Sequence, residues 1–334
     1  MFTFIDLFAG IGGTRIAFER LGGKCIFASE KDPVACKIYE ENFGMSPQRD
    51  ITKIEPDHPD IGEPDILVAG FPCQAFSYAG KRLGFDDERG TMFHYIHQIM
   101  KAKMPKAFFL ENVKGLLSHD GGKTIGTILS ILRDDLGYYV PDPTVIDASD
   151  FGIPQKRERV FIVGFSPKTG IKEFSYPEPI IYDDKTRPLL KDAIENGPVP
   201  VKYYLSQGYL DCLKRHKVEQ KLKGRGFGYD VLDPETDIAN TLTVGGMGRE
   251  RNLIVDHKIT DRTPTTNIHS EINSEDIRKL TPRECARLMG FDDSFKLDAA
   301  DTHLYRLLGN SVAIDAVEYT AAKIIEKLNE SNML

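Results

Sequence analysis

At 334 residues the chain is long enough for one large domain or two unequal ones with ample core material. Its 41% hydrophobic and 28% charged residues are those of a soluble globular protein, and no run approaches the ~18 apolar residues of a membrane span. A net charge of −7 is only a weak argument against a nucleic-acid partner, because phosphate contacts are local. The stretch "KRHKVEQKLKGR" (214–225) holds six Lys/Arg against one acid. "GRERN" (248–252) and the stretch from Arg278 to Arg287 add further basic groups, so the charge is polarised toward the C-terminal half.

The N-terminus, "MFTFIDLFAG", lacks a basic region and a cleavage site and reads as a first strand, which implies the cytoplasm. The segments 2–10, 25–30, 65–70, 107–113 and 159–165 are nearly continuous in apolar residues and predict buried parallel strands. Helical patterns near 13–21, 33–43, 91–103 and 122–136 lie between them. Alternation of this kind implies an α/β fold, with a parallel sheet, helices on both faces and ligands at the carboxyl ends of the strands. From about residue 166, prolines and then glycines punctuate short alternating runs, predicting a smaller, loop-rich, mostly β insertion. Order returns at "LTPRECARLMGF" (280–291), where Thr281, Pro282 and Glu284 spell a capping box. Apolar residues at 313, 317, 321, 324 and 328 predict a last helix packed back on the first domain.

"DLFAGIGGTRIAFERLGG" opens with a strand, turns at Gly10, Gly12 and Gly13, and enters a helix. Glycines there let a ligand approach the backbone, and a helix N-terminus favours a negative group. The spacing G-x-G-G differs from the dinucleotide G-x-G-x-x-G, which disfavours a nicotinamide dehydrogenase. Glu30, at the end of the second strand, is placed to hold ribose hydroxyls, and Asp50, in "RDITKI" after a strand, to accept from an adenine amine. Together they point to an adenosine-containing cofactor.

The five cysteines (25, 36, 73, 212, 285) are scattered and never form C-x-x-C, arguing against a zinc cluster or a disulfide framework. Four read as core or incidental thiols. Cys73 differs: in "GFPCQAFSYAG" it follows Pro72 where an apolar strand runs out, a place that presents a thiol.

"FIDLFAGIGG", "GFPCQAFSYAG", "LENV", "QKRERVFIVG", "LTPRECARLMGF" and "YRLLGNSVAID" occur in the order found in DNA cytosine-5 methyltransferases of bacterial restriction–modification type, which this chain resembles over nearly its whole length except roughly 185–275. The resemblance implies a Rossmann-like S-adenosylmethionine-dependent methyltransferase sheet in residues 1–184, completed by 304–334, with a target-recognition domain and hinge in 185–303. It implies S-adenosylmethionine as methyl donor, S-adenosylhomocysteine as product, and a flipped cytosine at a short specific site of double-stranded DNA as substrate. It implies no metal and no membrane, a bacterial or phage source, and, where one exists, a cognate restriction endonuclease that is not a stable partner. A monomer is expected, since the reaction needs no symmetry.

Carried over by motif, Phe4, Asp6, Phe8, Gly10, Ile11, Gly12 and Gly13 look like the cofactor turn. Glu30 would hold ribose, Asp50 and Ile51 would frame adenine, and Lys31 stands where the family often has an aromatic residue. Gly70 and Pro72 border the cofactor, and Asn310, Ser311 and Val312 would close its pocket. Cys73 is the nucleophile the resemblance implies. Carbon 5 of cytosine is a poor nucleophile; a thiolate added at carbon 6 makes an enamine whose carbon 5 attacks an electrophilic methyl, and loss of the carbon 5 proton then expels the cysteine. Glu111 would protonate or hydrogen-bond ring nitrogen 3, a task suited to a carboxyl in a semi-buried pocket. Arg157 and Arg159, on alternate positions before a strand, would share a face, with Arg157 on the cytosine 2-oxygen and Arg159 supporting the Cys–Glu geometry.

Flipping the base costs a few kcal/mol, offset by pocket contacts. Residues 74–95 read as a lid closing over DNA, with Gln74, Ser77, Lys81 and Arg89 available to it. In the insertion, Arg225, Arg249 and Arg251 sit in glycine-rich loops suited to the major groove, and Thr241-Leu242 resembles the family's recognition pair. Two alternatives share these motifs: a tRNA cytosine-5 methyltransferase, whose Cys-Phe-Thr signature is absent here, and a catalytically dead DNA-binding relative, against which Cys73, Glu111 and Arg157 argue.

Overall fold

The computed structural model describes the chain except residues 48–49, 73–91, 184, 225–227, 245–249 and 265–269. It forms two compact units: the larger holds 1–151, 158–180 and 311–334, the smaller 152–157 and 181–310. Of the residues expected in the catalytic domain, 152–157, 181–184 and 304–310 lie in the smaller unit.

The larger unit is built on six strands, β1 (Phe2–Leu7), β2 (Gly23–Ser29), β3 (Ile66–Gly70), β4 (Ala107–Val113), β5 (Thr144–Asp147) and β6 (Glu158–Phe165), ordered β2-β1-β3-β4-β6-β5. Helices α1 (Gly13–Arg20), α2 (Pro33–Phe43), α3 (Met92–Lys103) and α4 (Lys123–Ser130) alternate with them. β1 to β4 are parallel neighbours, and their side chains are buried on both faces, which is why they read as continuous apolar runs. Leu67, Phe108 and Leu110 pack with Phe93, Ile96 and Met100 of α3 in one core cluster.

The segment 159–165 was expected to be parallel, and this is corrected: β6 runs antiparallel to both β4 and β5. A parallel return needs a crossover of a dozen or more residues, usually with a helix, whereas the connection 148–157 holds only a 3-10 turn at Ala148–Phe151. β5, a four-residue strand at the sheet edge, was not expected at all.

The smaller unit carries a three-stranded sheet, β7 (Val231–Leu232), β8 (Leu253–Val255) and β9 (Ile277–Lys279). It also carries α5 (Gln207–Leu222), α6 (Pro282–Arg287) and α7 (Asp301–Asn310), and the sixteen-residue α5 went unread in the sequence. The capping box forms: Thr281 Oγ1 accepts from the Glu284 amide at 3.1 Å, and Glu284 accepts from the Thr281 amide at 2.6 Å. The same carboxylate is 2.7 Å from the fully buried guanidinium of Arg278, which also meets Asp256 at 2.6 Å.

The chain then returns to the larger unit in α8 (Ile314–Glu330), which buries Ile314, Val317, Ala321, Ile324 and Leu328 at the helical period. Arg20 of α1 ties to it through Asp315 (3.1 Å) and Glu318 (3.0 Å).

Candidate active site

The turn from β1 into α1 places Phe8 (φ 58°), Gly10 (55°) and Gly12 (93°) in the left-handed region, a conformation that favours glycine. Nothing lies within 4 Å of where a Gly10 side chain would start, so the turn opens onto free space there. Gly12 is the N-cap of α1 and brings no side-chain oxygen to the first-turn amides. A Cβ on Gly12 would fall 2.3 Å from Cε2 of Phe43, whose ring in turn lies 4.4 Å from the Arg15 guanidinium. Gly12→Ala is therefore expected to weaken binding of the cofactor that the resemblance implies by about tenfold or more, since the clash with Phe43 forces the turn out of its open geometry. Isothermal titration calorimetry checks this; an unchanged Kd would contradict it.

Gly13 opens α1 and Ile11 is buried in the turn. Phe4 and Asp6 lie beneath it, both fully buried. Phe4 packs on Phe18 with ring centroids 5.4 Å apart, and Thr14 Oγ1 donates to both Asp6 oxygens at 2.8 and 2.9 Å. These two residues support the turn from below. Burial pushes the Asp6 carboxyl up to about 7 from an ordinary 3.8. Between those two values the folded state holds a proton that the unfolded state has lost, so stability falls as pH rises through that window. Asp6→Asn keeps an acceptor for Thr14 and removes the titration. Its melting temperature should exceed that of the unmodified chain at pH 8 and lose that advantage toward pH 4. A parallel pH profile for the two proteins would contradict this.

At the carboxyl end of β2, the Glu30 carboxylate is fixed by three backbone donors: Gly10 N–H at 2.9 Å on Oε2, and Lys31 and Asp32 N–H, each at 2.8 Å, on Oε1. A carboxylate has about four acceptor sites, so one held this way can still accept from hydroxyls. Lys31 itself is exposed. Asp50 does not follow a strand, which corrects that expectation. It caps the 3-10 turn Ile51–Lys53 between α2 and β3, accepting from the Thr52 amide (3.1 Å) and hydroxyl (2.8 Å), and those bonds hold its carboxyl below the usual range. Ile51 is buried beside it. An open glycine turn, unblocked helix amides and a pre-oriented carboxylate fit the nucleoside-bearing cofactor that the resemblance implies.

The next two strand ends lie side by side. Gly70 of β3 pairs with Glu111 of β4, and a Cβ on Gly70 would sit 3.5 Å from Glu111 Oε2. The other carboxyl oxygen, Oε1, is 3.1 Å from Arg159 Nε, and both side chains are largely buried. Arg159 reaches it from β6, where it pairs with Val113 of β4. Asn112, which sequence reasoning missed although it stands inside "LENV", donates from Nδ2 to the Phe71 carbonyl at 2.8 Å in a buried setting. It thereby fixes the chain that leads through the exposed Pro72 toward Cys73.

Cys73, Gln74, Ser77, Lys81 and Arg89, with the expected lid up to residue 91, lie outside the described residues. Residues 92–95 open α3. Cys25, Cys36 and Cys285 are buried. Burial pushes the Cys25 thiol up to about 12 and the Cys36 thiol up to about 11, so neither supplies a ready thiolate.

Within the smaller unit, residues 154–157 and 239–242 run alongside each other. Ala239 N–H donates to Pro154 O (2.8 Å), Lys156 N–H to Ala239 O (2.8 Å), and Thr241 Oγ1 to Lys156 O (2.6 Å). The buried Gln155, another residue sequence reasoning missed, accepts from Leu242 N–H at 3.0 Å and donates to Leu288 O at 2.7 Å. Arg157 is buried here, donating to Leu242 O and Gly309 O, each at 3.0 Å. The two arginines expected on one face therefore have separate partners: Arg159 is at Glu111, and Arg157 anchors the Thr241-Leu242 backbone. Arg251 is exposed, 3.4 Å from Asn240 Oδ1, while Arg225 and Arg249 lie outside the described residues. Asn310 ends α7, and Ser311 and Val312 lead into α8.

A model for the family described as "C-5 cytosine-specific DNA methylase" matches residues 2–326. The chain is similar to the type II methyltransferase M.HpaII of Haemophilus parainfluenzae, 58% identical over 328 residues that cover 98% of this chain and 90% of that protein. It is also similar to the type II methyltransferase M.HhaI of Haemophilus parahaemolyticus, 36% identical over 334 residues covering 98% and 95%. Among solved structures it is similar in fold to the S. pombe Dnmt2 methyltransferase, with a TM-score of 0.78 at 20% identity over 98% of this chain and all of that one. No described helix is long and apolar enough to cross a membrane. With a match that runs through both units, the chain belongs to the C-5 cytosine-specific DNA methylase family.

Proposed function

We propose that this chain, a DNA cytosine-5 methyltransferase, methylates one cytosine within a short specific duplex site, as the modification enzyme of a restriction–modification system acting in the cytoplasm as a monomer. The observation that carries the reading is the Glu111–Arg159 pair at the end of β4, next to the β3 end that leads to Cys73.

When bound, S-adenosylmethionine supplies an electrophilic methyl group. The chain's own residues do the rest. Gly10, Ile11, Gly12 and Gly13 form the bed of the cofactor, Glu30 accepts from its ribose, and Asp50 and Ile51 border its adenine. Cys73 adds as thiolate to carbon 6 of the flipped cytosine. Arg159 holds Glu111 through one carboxyl oxygen, and the Glu111 carboxyl engages ring nitrogen 3 and the exocyclic amine. Arg159, beside that carboxylate, is the arginine we assign to the base. Arg157 acts at one remove, by fixing the segment that carries Thr241. The smaller unit reads the site, through Thr241 and the loops of Arg225, Arg249 and Arg251.

The 58% identity to a type II methyltransferase favours DNA over tRNA as substrate. The test is incubation with S-adenosylmethionine and unmethylated plasmid, followed by bisulfite sequencing. Protected cytosines recurring in one short motif are expected. An unmethylated plasmid with methylated tRNA would reverse the substrate assignment.

A further inference from the structure

Helix α5 has more basic charge than its folding role requires. It begins with Ser206 as N-cap and buries Leu210 and Leu213, which join Leu205, Leu253 and Ile277 in the core of the smaller unit. After Leu213 no residue of the helix is buried. Over 214–223 the sequence nonetheless places five Lys/Arg against the single acid Glu219, in a chain whose net charge is −7.

Lys214, Lys217 and Lys221 follow the i, i+3, i+7 spacing of one helix face. Lys214 pairs with Glu275. Lys217 lies over the Tyr229 ring at 4.8 Å, and its stem occupies the space where a Cβ on Gly228 would come within 2.7 Å of it. Among the described residues, Arg215, Lys221 and Lys223 take part in no ion pair, so folding gives them no partner. The helix is also tied to the segments that continue from the two arginine-bearing loops. Lys217 touches residues 228–229, just after Arg225, and Tyr209 donates to Glu250, just after Arg249, at 3.0 Å.

We propose that the C-terminal half of α5 is a phosphate-binding surface that grips the DNA backbone outside the methylated site, without reading sequence. The inference rests on the assignment of DNA as substrate. A polyanion with regularly spaced charge matches a cluster of cations around the exposed end of a helix, three of them outside any ion pair among the described residues, and such contacts position a protein without specifying bases. They also release counterions, so they show in the salt dependence of binding.

The test compares the full chain with the triple variant Arg215→Gln, Lys221→Gln, Lys223→Gln, all at exposed positions. Binding is measured against a duplex carrying the bisulfite-mapped site and a scrambled duplex of equal length, from 50 to 200 mM salt. The expected result is a Kd about tenfold or more weaker for the variant on both duplexes. The slope of log K against log salt should be shallower by up to about three, at ~0.9 per lost phosphate contact. A second variant, Val218→Ser with Leu222→Ser, removes the exposed apolar residues of the same helix and should leave the slope unchanged. Equal slopes for the triple variant and a normally binding unmodified chain would overturn the helix assignment alone. Weakening confined to the Val218/Leu222 variant would overturn it too, since the helix would then meet DNA through its apolar residues and not its cations. An unmodified chain that binds neither duplex would overturn the DNA reading itself.

Discussion

Cys73→Ser is expected to abolish methyl transfer, by roughly 10⁴-fold or more, and to leave the Kd for S-adenosylmethionine unchanged. A serine hydroxyl is protonated near neutrality and a weak nucleophile, whereas a thiolate is both strongly nucleophilic and a good leaving group. Cys212, the one exposed cysteine among the described residues, lies on α5 of the smaller unit. Cys25 and Cys36 are buried with thiols pushed up to about 12 and 11, and Cys285 is buried in the smaller unit. Cofactor binding should persist because the proposed bed of the cofactor, the β1–α1 turn and Glu30, is held by backbone donors of Gly10, Lys31 and Asp32. Single-turnover methyl transfer and calorimetry separate the two effects. Normal turnover by this variant would refute thiolate addition.

Glu111→Gln is expected to lower kcat by about 10²–10⁴-fold, the usual range for loss of a positioned acid–base group, with little change in melting temperature. Glutamine matches glutamate in shape, so the β3–β4 register and the close approach of Gly70 are kept. What is lost is the ability to hand over a proton at ring nitrogen 3 and the charge that holds Arg159 at 3.1 Å. Arg159→Lys, which keeps the charge but not the planar fork, should fall between the variant and the unmodified chain. A Glu111→Gln enzyme with full kcat would remove Glu111 from the mechanism.

Most of the catalytic fold was legible because its strands are buried on both faces. "ILVAG" and "AFFLENV" are apolar almost without break, and a glycine turn followed by a helical period marks the β1–α1 junction. Strand direction was not legible: β6 has the same pattern parallel or antiparallel, and its direction is set by the short helix-free connection after β5. β5 has four residues of "TVID" with only one buried, too little signal to register. α5 read as a charge run because only Leu210 and Leu213 are buried along sixteen residues. The strands of the smaller unit, two or three residues each, give periodicity nothing to count.

The active site divided in a similar way. Gly10, Gly12, Glu30 and Glu111 were legible because they stand at or near strand ends, where chemistry is expected in such sheets, and Cys73 lies outside the described residues. The separate partners of Arg157 and Arg159 were hidden, because those of Arg157 are carbonyls 85 and 152 residues away in the chain and that of Arg159 is a carboxylate on another strand. Asn112 gives no signal of its own within "LENV", since its task, holding the Phe71 carbonyl, exists only once β3 and β4 are adjacent.

The most direct test is to incubate the enzyme and S-adenosylmethionine with a duplex carrying 5-fluorocytosine at the bisulfite-mapped position. After methylation carbon 5 carries fluorine where a proton should leave, so expulsion of the cysteine is blocked. A denaturation-stable protein–DNA adduct, located by peptide mass spectrometry at Cys73, is the predicted result. Methylation without any such adduct, or an adduct at another residue, would contradict the covalent mechanism assigned to Cys73.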